Sequence, residues 1–179
     1  MEKEKSIYII LSQTGTVFSR ALKFFTGAEY NHSSIALTPD LEKMYSFGRL
    51  NPYNPFIGGF VQEGIHTGTF ARFYKTKAMV LEVKVDLDTY NKLKNMIEYL
   101  TEHKLKFHYN YWGVVLACFK KNYSPKYRFY CSQFVRSCLS IFNISNANTL
   151  PKIIKPIDFL KLENKEVIYT GNLQNYSCV

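Results

Sequence analysis

The sequence predicts an α+β fold in which a mainly antiparallel sheet packs against helices, and three observations carry that reading. Ala78–Val85 alternates apolar and polar residues, as a half-buried strand does. His32–Leu37 and Lys43–Phe47 flank a Thr38-Pro39-Asp40 turn and read as a hairpin. Leu87–Glu102 and the segment opened by Cys131 repeat apolar residues at three- and four-residue spacing, the mark of helices with one buried stripe.

In chain order, Ile7–Leu11 is a buried strand, Ser12–Thr16 a polar turn, and Val17–Phe25 a short helix ending near Gly27. After the hairpin, Gly48–Gly59 is rich in glycine and proline and is expected to be a long loop. Phe60–Ile65 and Thr69–Tyr74 are expected as strands. Asp86-Leu87-Asp88 supplies a helix cap, and Leu87, Tyr90, Leu93, Met96, Ile97 and Leu100 share one face of the helix that follows. Trp112–Phe119 is a second helix, joined to the Cys131 helix by a basic, tyrosine-rich link. A short helix over Leu150–Leu162 and a strand at Val167–Tyr169, ended by Gly171, close the chain. No repeat or domain boundary is visible, so residues 1–179 form one domain.

Composition narrows the function classes. The chain has 179 residues, 46% hydrophobic and 21% charged, an ordinary globular balance. Fourteen Tyr and fourteen Phe against one Trp point to a ring-lined cleft or apolar surface. The net charge is +9, yet no run exceeds two consecutive basic residues and no nucleic-acid motif is present. The lysines are therefore expected to give a solvated, generally basic surface with weak attraction for anionic surfaces, and no nucleic-acid partner. The first apolar run, Ile7–Leu11, is too short for a signal sequence, and no stretch is long enough to span a bilayer. Cys118, Cys131, Cys138 and Cys178 form no CxxC pair and no metal-ligand spacing. A reduced, cytoplasmic setting without metal or cofactor is expected.

One stretch carries chemistry. Phe134, Val135, Cys138, Leu139 and Phe142 form a helical stripe, and Cys131 opens it on the same face. A cysteine in the first turn of a helix sits in the positive end of the helix dipole, which lowers its pKa and favours the thiolate. His32 begins the strand-like run His-Ser-Ser-Ile-Ala-Leu. A thiol at a helix start facing an imidazole on a neighbouring strand can act as nucleophile and base. A cysteine on an apolar face is also an ordinary packing residue, so the pairing with His32 is what marks the site.

Cys131-Ser132-Gln133-Phe134-Val135, with Cys138-Leu139 after it, resembles the Asp-Cys-Ser-Gly-Phe-Val helix start of the NlpC/P60 superfamily of papain-like hydrolases. His32 precedes Cys131, as in the circularly permuted branch that includes YiiX/YaeF-like amidases and lecithin:retinol acyltransferase-like enzymes. His32-Ser33-Ser34-Ile35 is similar to that branch's His-x-Gly-Ile, and Met44-Tyr45-Ser46-Phe47 follows as a hairpin partner. Tyr-Ser-Phe-Gly-Arg with Gly-Gly-Phe-Val-x-Glu looks like a Firmicute-type subgroup. The resemblance implies a permuted papain-like fold and a cysteine hydrolase acting on a peptide or other amide. Cys131 would be the nucleophile and His32 the base. The branch's Gly-Asp signature is replaced by Leu11-Ser12-Gln13. Its third polar residue aligns with Ser46, which can hydrogen-bond an imidazole but cannot balance an imidazolium's charge. Glu63, in Gly-Gly-Phe-Val-Gln-Glu, is the candidate replacement.

The remaining candidates are secondary. Gln13, at the end of the first strand, and the Cys131 backbone N–H are candidate oxyanion donors. Phe107–Gly113 packs five rings into seven positions and reads either as a core corner or as a cleft wall; Tyr111 in this run, and Tyr130 just before Cys131, are the substrate-side candidates. His66, His103 and His108 lack ligand spacing, and Arg49 reads as an exposed arginine. Two other functions use the same residues: a lipid acyltransferase or thioesterase, and a non-enzymatic binding module with an eroded triad.

Overall fold

A computed structural model of the chain describes residues 4–14, 29–51 and 54–178. Its longest pairing joins β1 (Glu4–Gln13) to β5 (Lys77–Asp86), antiparallel from Glu4↔Asp86 to Gln13↔Lys77. Alternation along β1 sends Ile7, Ile9 and Leu11 to one face and Tyr8 and Ile10 to the other. Both faces are covered, which is why this strand reads as an unbroken apolar run.

Around that pair lie β2 (His32–Ala36), β3 (Met44–Asn51), β4 (Asn54–Glu63), β6 (His108–Tyr109), β7 (Arg128–Phe129) and β8 (Lys165–Asn172). The described residues form one eight-stranded sheet in the order β7-β6-β4-β3-β2-β1-β5-β8. Every pair is antiparallel except β6–β7, which is parallel. The class is α+β with a mixed sheet, and the expected β2–β3 hairpin is present with Ile35 opposite Tyr45.

The helices divide between the two faces. α1 (Gly68–Arg72) covers one side with Phe70, which is fully buried against Ile10, Ala36, Met44 and Val80. α2 (Leu87–Glu102) and α4 (Cys131–Ile141) cover the other, joined there by the C-terminal segment through Ile144, Leu150 and Phe159. The Asp86 carboxylate caps α2 by accepting from the Thr89 amide at 2.8 Å. α3 (Tyr111–Cys118) is capped by Asn110. On α4, Phe134 meets the rings of Phe47 and Phe60 at centroid distances of 5.3 and 5.7 Å. Burying each such side chain stabilises by about 1.5–3 kcal/mol, so α4 is held by its apolar stripe.

Four expectations are corrected. Gly48–Gly59 is not one long loop: Gly48–Asn51 belong to β3 and Asn54–Gly59 to β4, and the two strands pair antiparallel. Its glycines make room for side chains rather than turns: a Cβ on Gly58 would stand 2.8 Å from the Tyr111 hydroxyl, and one on Gly48 would press the His32 ring. Thr69–Tyr74 is not a strand; Thr69–Arg72 lie in α1, where only Phe70 is buried, and Tyr74 stands in the turn that follows, facing solvent. Leu150–Leu162 holds a 3-10 turn over Pro156–Lys161 only, since Pro151 and Pro156 break a longer helix. The last strand runs through Gly171, which pairs with Ala78. The helix expected at Val17–Phe25 lies outside the described residues.

Candidate active site

α4 begins at Cys131 because Tyr130 has extended backbone and the Gln133 side chain folds back to accept from the Tyr130 amide at 3.2 Å. The same Gln133 oxygen accepts from the Asn110 side-chain amide at 3.0 Å, while Asn110 accepts from the Gly113 amide at 2.9 Å. Both side-chain amides also donate to the Tyr123 carbonyl. The N-termini of α3 and α4 are thus tied by one buried, fully partnered network, which fixes where Cys131 stands.

His32 is the first residue of β2, and β2 passes under α4: the Ser33 hydroxyl donates to the Ser132 hydroxyl at 3.2 Å. That contact brings the Cys131 thiol to the start of the strand, 4.0 Å from the Asn31 carbonyl oxygen. The thiol and the His32 ring are near enough for each to shift the other's pKa. Glu63 engages the ring directly: its carboxylate lies 3.0 Å from His32 Nε2. Nε2 is thereby committed to the carboxylate. Ser34 completes the set; its hydroxyl donates to the Glu63 carboxylate at 2.8 Å and lies 3.3 Å from His32 Nε2.

The electrostatics follow from these contacts. Burial alone lowers the His32 pKa, but the Glu63 charge and the hydrogen bonds to Cys131 and Glu63 outweigh it and raise the value from 6.5 to about 10. Burial raises the Cys131 pKa; the hydrogen bond and charge of His32, with smaller help from the Ser33 backbone and Ser132, bring it below the ordinary thiol value. Burial likewise raises the Glu63 pKa, and the charge and hydrogen bond of His32, with Ser34 and Arg49, hold it below the carboxylate range. Every shift favours a thiolate, an imidazolium and a carboxylate side by side. By contrast, Cys138 lies in the core and burial drives its pKa up.

Beside Cys131 opens a cleft enclosing about 600 Å³, part of it continuous with solvent. Its lining is mostly apolar, with Tyr30, Tyr109, Val114, Tyr130, Ile153 and Ile154 among the contributors. The Tyr130 hydroxyl donates to the Ile154 carbonyl at 3.3 Å. The aromatic run 107–113 therefore plays both expected parts: Phe107 is core, and Tyr109 is cleft wall.

Of the residues singled out in the sequence, the structure brings together Cys131, His32 and Glu63, with Tyr130 beside them. Ser46 is not the partner of His32; its fully buried hydroxyl donates to the Ser33 carbonyl at 2.7 Å. Gln13 lies just past the Ser12↔His32 pair and is not part of the cleft lining. Tyr111 packs on Tyr109 at 4.7 Å between centroids and is likewise outside the lining. Arg49 is half-buried rather than exposed, stacked over Phe73 at 5.9 Å, and its charge reaches Glu63. Ser34, Asn110 and Gln133 were not singled out from the sequence. The signal for Ser34 was present: two adjacent serines in an otherwise apolar strand need partners. No family model, no curated protein and no solved structure matches the chain.

Proposed function

We propose that the protein is a cysteine hydrolase that cleaves an amide bond through a thioester, with the permuted papain-like arrangement that the sequence resembles. The observation that carries the reading is the Cys131–His32–Glu63 constellation: a thiol at a helix start whose pKa the neighbouring His32 lowers, and a carboxylate 3.0 Å from His32 Nε2. Those are the parts needed to generate a nucleophile, to return its proton and to orient the base.

The Cys131 sulfur attacks the substrate carbonyl and the C=O electrons move to oxygen. First-turn amides of α4, which have no intrahelical acceptor, are placed to receive that oxyanion. His32 then gives its proton to the leaving nitrogen as the C–N bond breaks, producing the Cys131 thioester and a free amine. A water molecule, deprotonated by His32, attacks the thioester and releases the acid and the thiolate. Glu63 balances the imidazolium at both stages, the task Ser46 could not perform.

The apolar lining of the cleft favours a second reading, in which an ester or thioester of an aliphatic acid supplies the acyl group. An activity-based cysteine probe followed by peptide mapping tests the common core of both. Label is expected on Cys131 in the wild type and lost in His32→Ala. Persistent labelling of Cys131 in His32→Ala, or labelling confined to Cys118 and Cys178, refutes the proposal. Product analysis with amide and thioester substrates then separates the two readings.

A further inference from the structure

Two properties of the molecule stand apart from the Cys131 site. The first is α3. Its sequence, Tyr-Trp-Gly-Val-Val-Leu-Ala-Cys, contains no charged residue, and only part of it is covered. Trp112 is 69% exposed, Val115 47% and Phe119, the residue that ends the helix, 70%. At a spacing of three and four these side chains share one outward face. A tryptophan and a phenylalanine held in water beside a valine form an apolar patch that wants a cover.

The second is the distribution of charge. Residues 103–157 contain nine of the chain's 23 basic residues and none of its 14 acidic ones. This one segment accounts for the whole +9, and the rest of the chain is neutral. The asymmetry appears only when carboxylates are counted along with lysines, because the basic residues never run together. Lys120 and Lys121 follow α3 directly, and Lys126 and Arg128 lie on the link to α4; all four are exposed. Among the described residues none of the nine is within ion-pair distance of a carboxylate, whereas Lys92, Lys94 and Lys161 elsewhere are.

We infer that the outward face of α3 docks on the surface of an anionic lipid bilayer. An apolar stripe carrying tryptophan, bordered by unpaired basic side chains, is what an interfacial helix requires: rings enter the headgroup boundary and lysines meet lipid phosphates. A second copy of this chain is disfavoured, because it would bring another uncompensated basic segment against the first. The inner side of the same helix, through Val114 and Ala117, lines the cleft at Cys131. Docking sets the cleft beside the membrane, and this holds whatever chemistry Cys131 performs.

Trp112 is the only tryptophan, so its fluorescence reports on this face alone. The full chain is titrated with phosphatidylcholine vesicles and with vesicles containing phosphatidylserine. With phosphatidylserine and low salt, Trp112 emission is expected to shift to the blue and to be quenched by brominated acyl chains. High salt should reverse both effects by screening. Lys120→Ser with Lys121→Ser should weaken partitioning roughly 25-fold, the product of two surface charges. Val115→Ser with Phe119→Ser should retain low-salt recruitment but lose the quenching. Unchanged emission with phosphatidylserine vesicles overturns the proposal, as does equal binding to both vesicle types. Blue-shifted emission without lipid that rises with protein concentration also overturns it, since it assigns the face to self-association. The wild-type titration decides the matter even if a variant fails to fold.

Discussion

Glu63 and His32 meet at 3.0 Å although 31 residues separate them, and the passage between them runs over Gly48. A methyl group at Gly48 would lie 3.3 Å from His32 Cε1 and 3.6 Å from a Glu63 oxygen. The bare backbone of β3 is the floor on which the pair rests. Gly48→Ala should therefore leave the fold largely intact while displacing the imidazole by a few tenths of an ångström. Turnover is expected to fall roughly 10-fold with little change in KM, because geometry at the reacting groups is affected and binding is not. Steady-state kinetics beside a thermal melt check it.

Glu63→Gln removes the charge that offsets burial at His32, so the imidazole pKa should drop from about 10 to its ordinary value or lower. Turnover is expected to fall on the order of 100-fold. NMR titration of the His32 ring gives the pKa directly; an unchanged value would remove Glu63 from the site.

The same pair makes stability depend on pH. His32 has a folded pKa above its unfolded value, so its contribution is complete below about 6.5 and is lost as pH rises through about 10. Glu63 has a lowered folded pKa, so its contribution is present above the usual carboxylate range and fades as pH falls through that lowered value. Wild-type melting temperature should decline on the alkaline side toward pH 10, and Glu63→Gln should flatten that limb. Denaturation scans across the range compare the two.

Alkylation kinetics address the thiol. In a Cys118→Ser, Cys178→Ser background the remaining thiols are Cys131 and the core residue Cys138. Iodoacetamide is expected to modify Cys131 at pH 6–7 faster than a free thiol of pKa about 8.5 would react. His32→Ala should shift that profile to higher pH, since burial then acts on the thiol unopposed.

Asn110 is predicted to matter for stability and site alike. Asn110→Ala leaves the Gly113 amide without its cap and removes one donor from Gln133. The cost should be about 2–3 kcal/mol, seen as a melting temperature lower by roughly 5–10 °C. Gly113→Ala should act in the same direction, because its methyl group would collide with the Asn110 side chain.

The parts of this molecule legible in its sequence are those with a single repeating signal. The β1 and β5 strands, the Asp86 cap with its helix, and the α4 stripe each follow one period. The His32–Cys131 pairing followed from residue types in the right order. Glu63 could be nominated but not chosen over Ser46, because the choice depends on which side chain reaches across β3. Gly48–Gly59 misled for the same reason: glycine marks a turn when the backbone needs freedom and a strand when a neighbour needs space, and composition does not distinguish the two. Phe70 anchors a helical turn that its alternating neighbours disguised. The network joining Asn110, Tyr123 and Gln133 depends on three segments meeting, which no local pattern records.

Gly48 and Gly59 lie directly opposite one another across β3 and β4, and Gly58 stands beside them opposite Arg49. Side chains that belong to the site or its surroundings fill the space each leaves, His32 beside Gly48 and, on the other face of the sheet, Tyr109 and Tyr111 beside Gly58. The bare strand backbone is a mould of those side chains, and it is written in the cheapest possible code. A strand-initial histidine, then one glycine, then a glycine pair, then a glutamate and finally a helix-opening cysteine form an ordered signature. Distant relatives too diverged for whole-chain comparison are expected to keep that order, since a single added methyl group would crowd the side chains packed there.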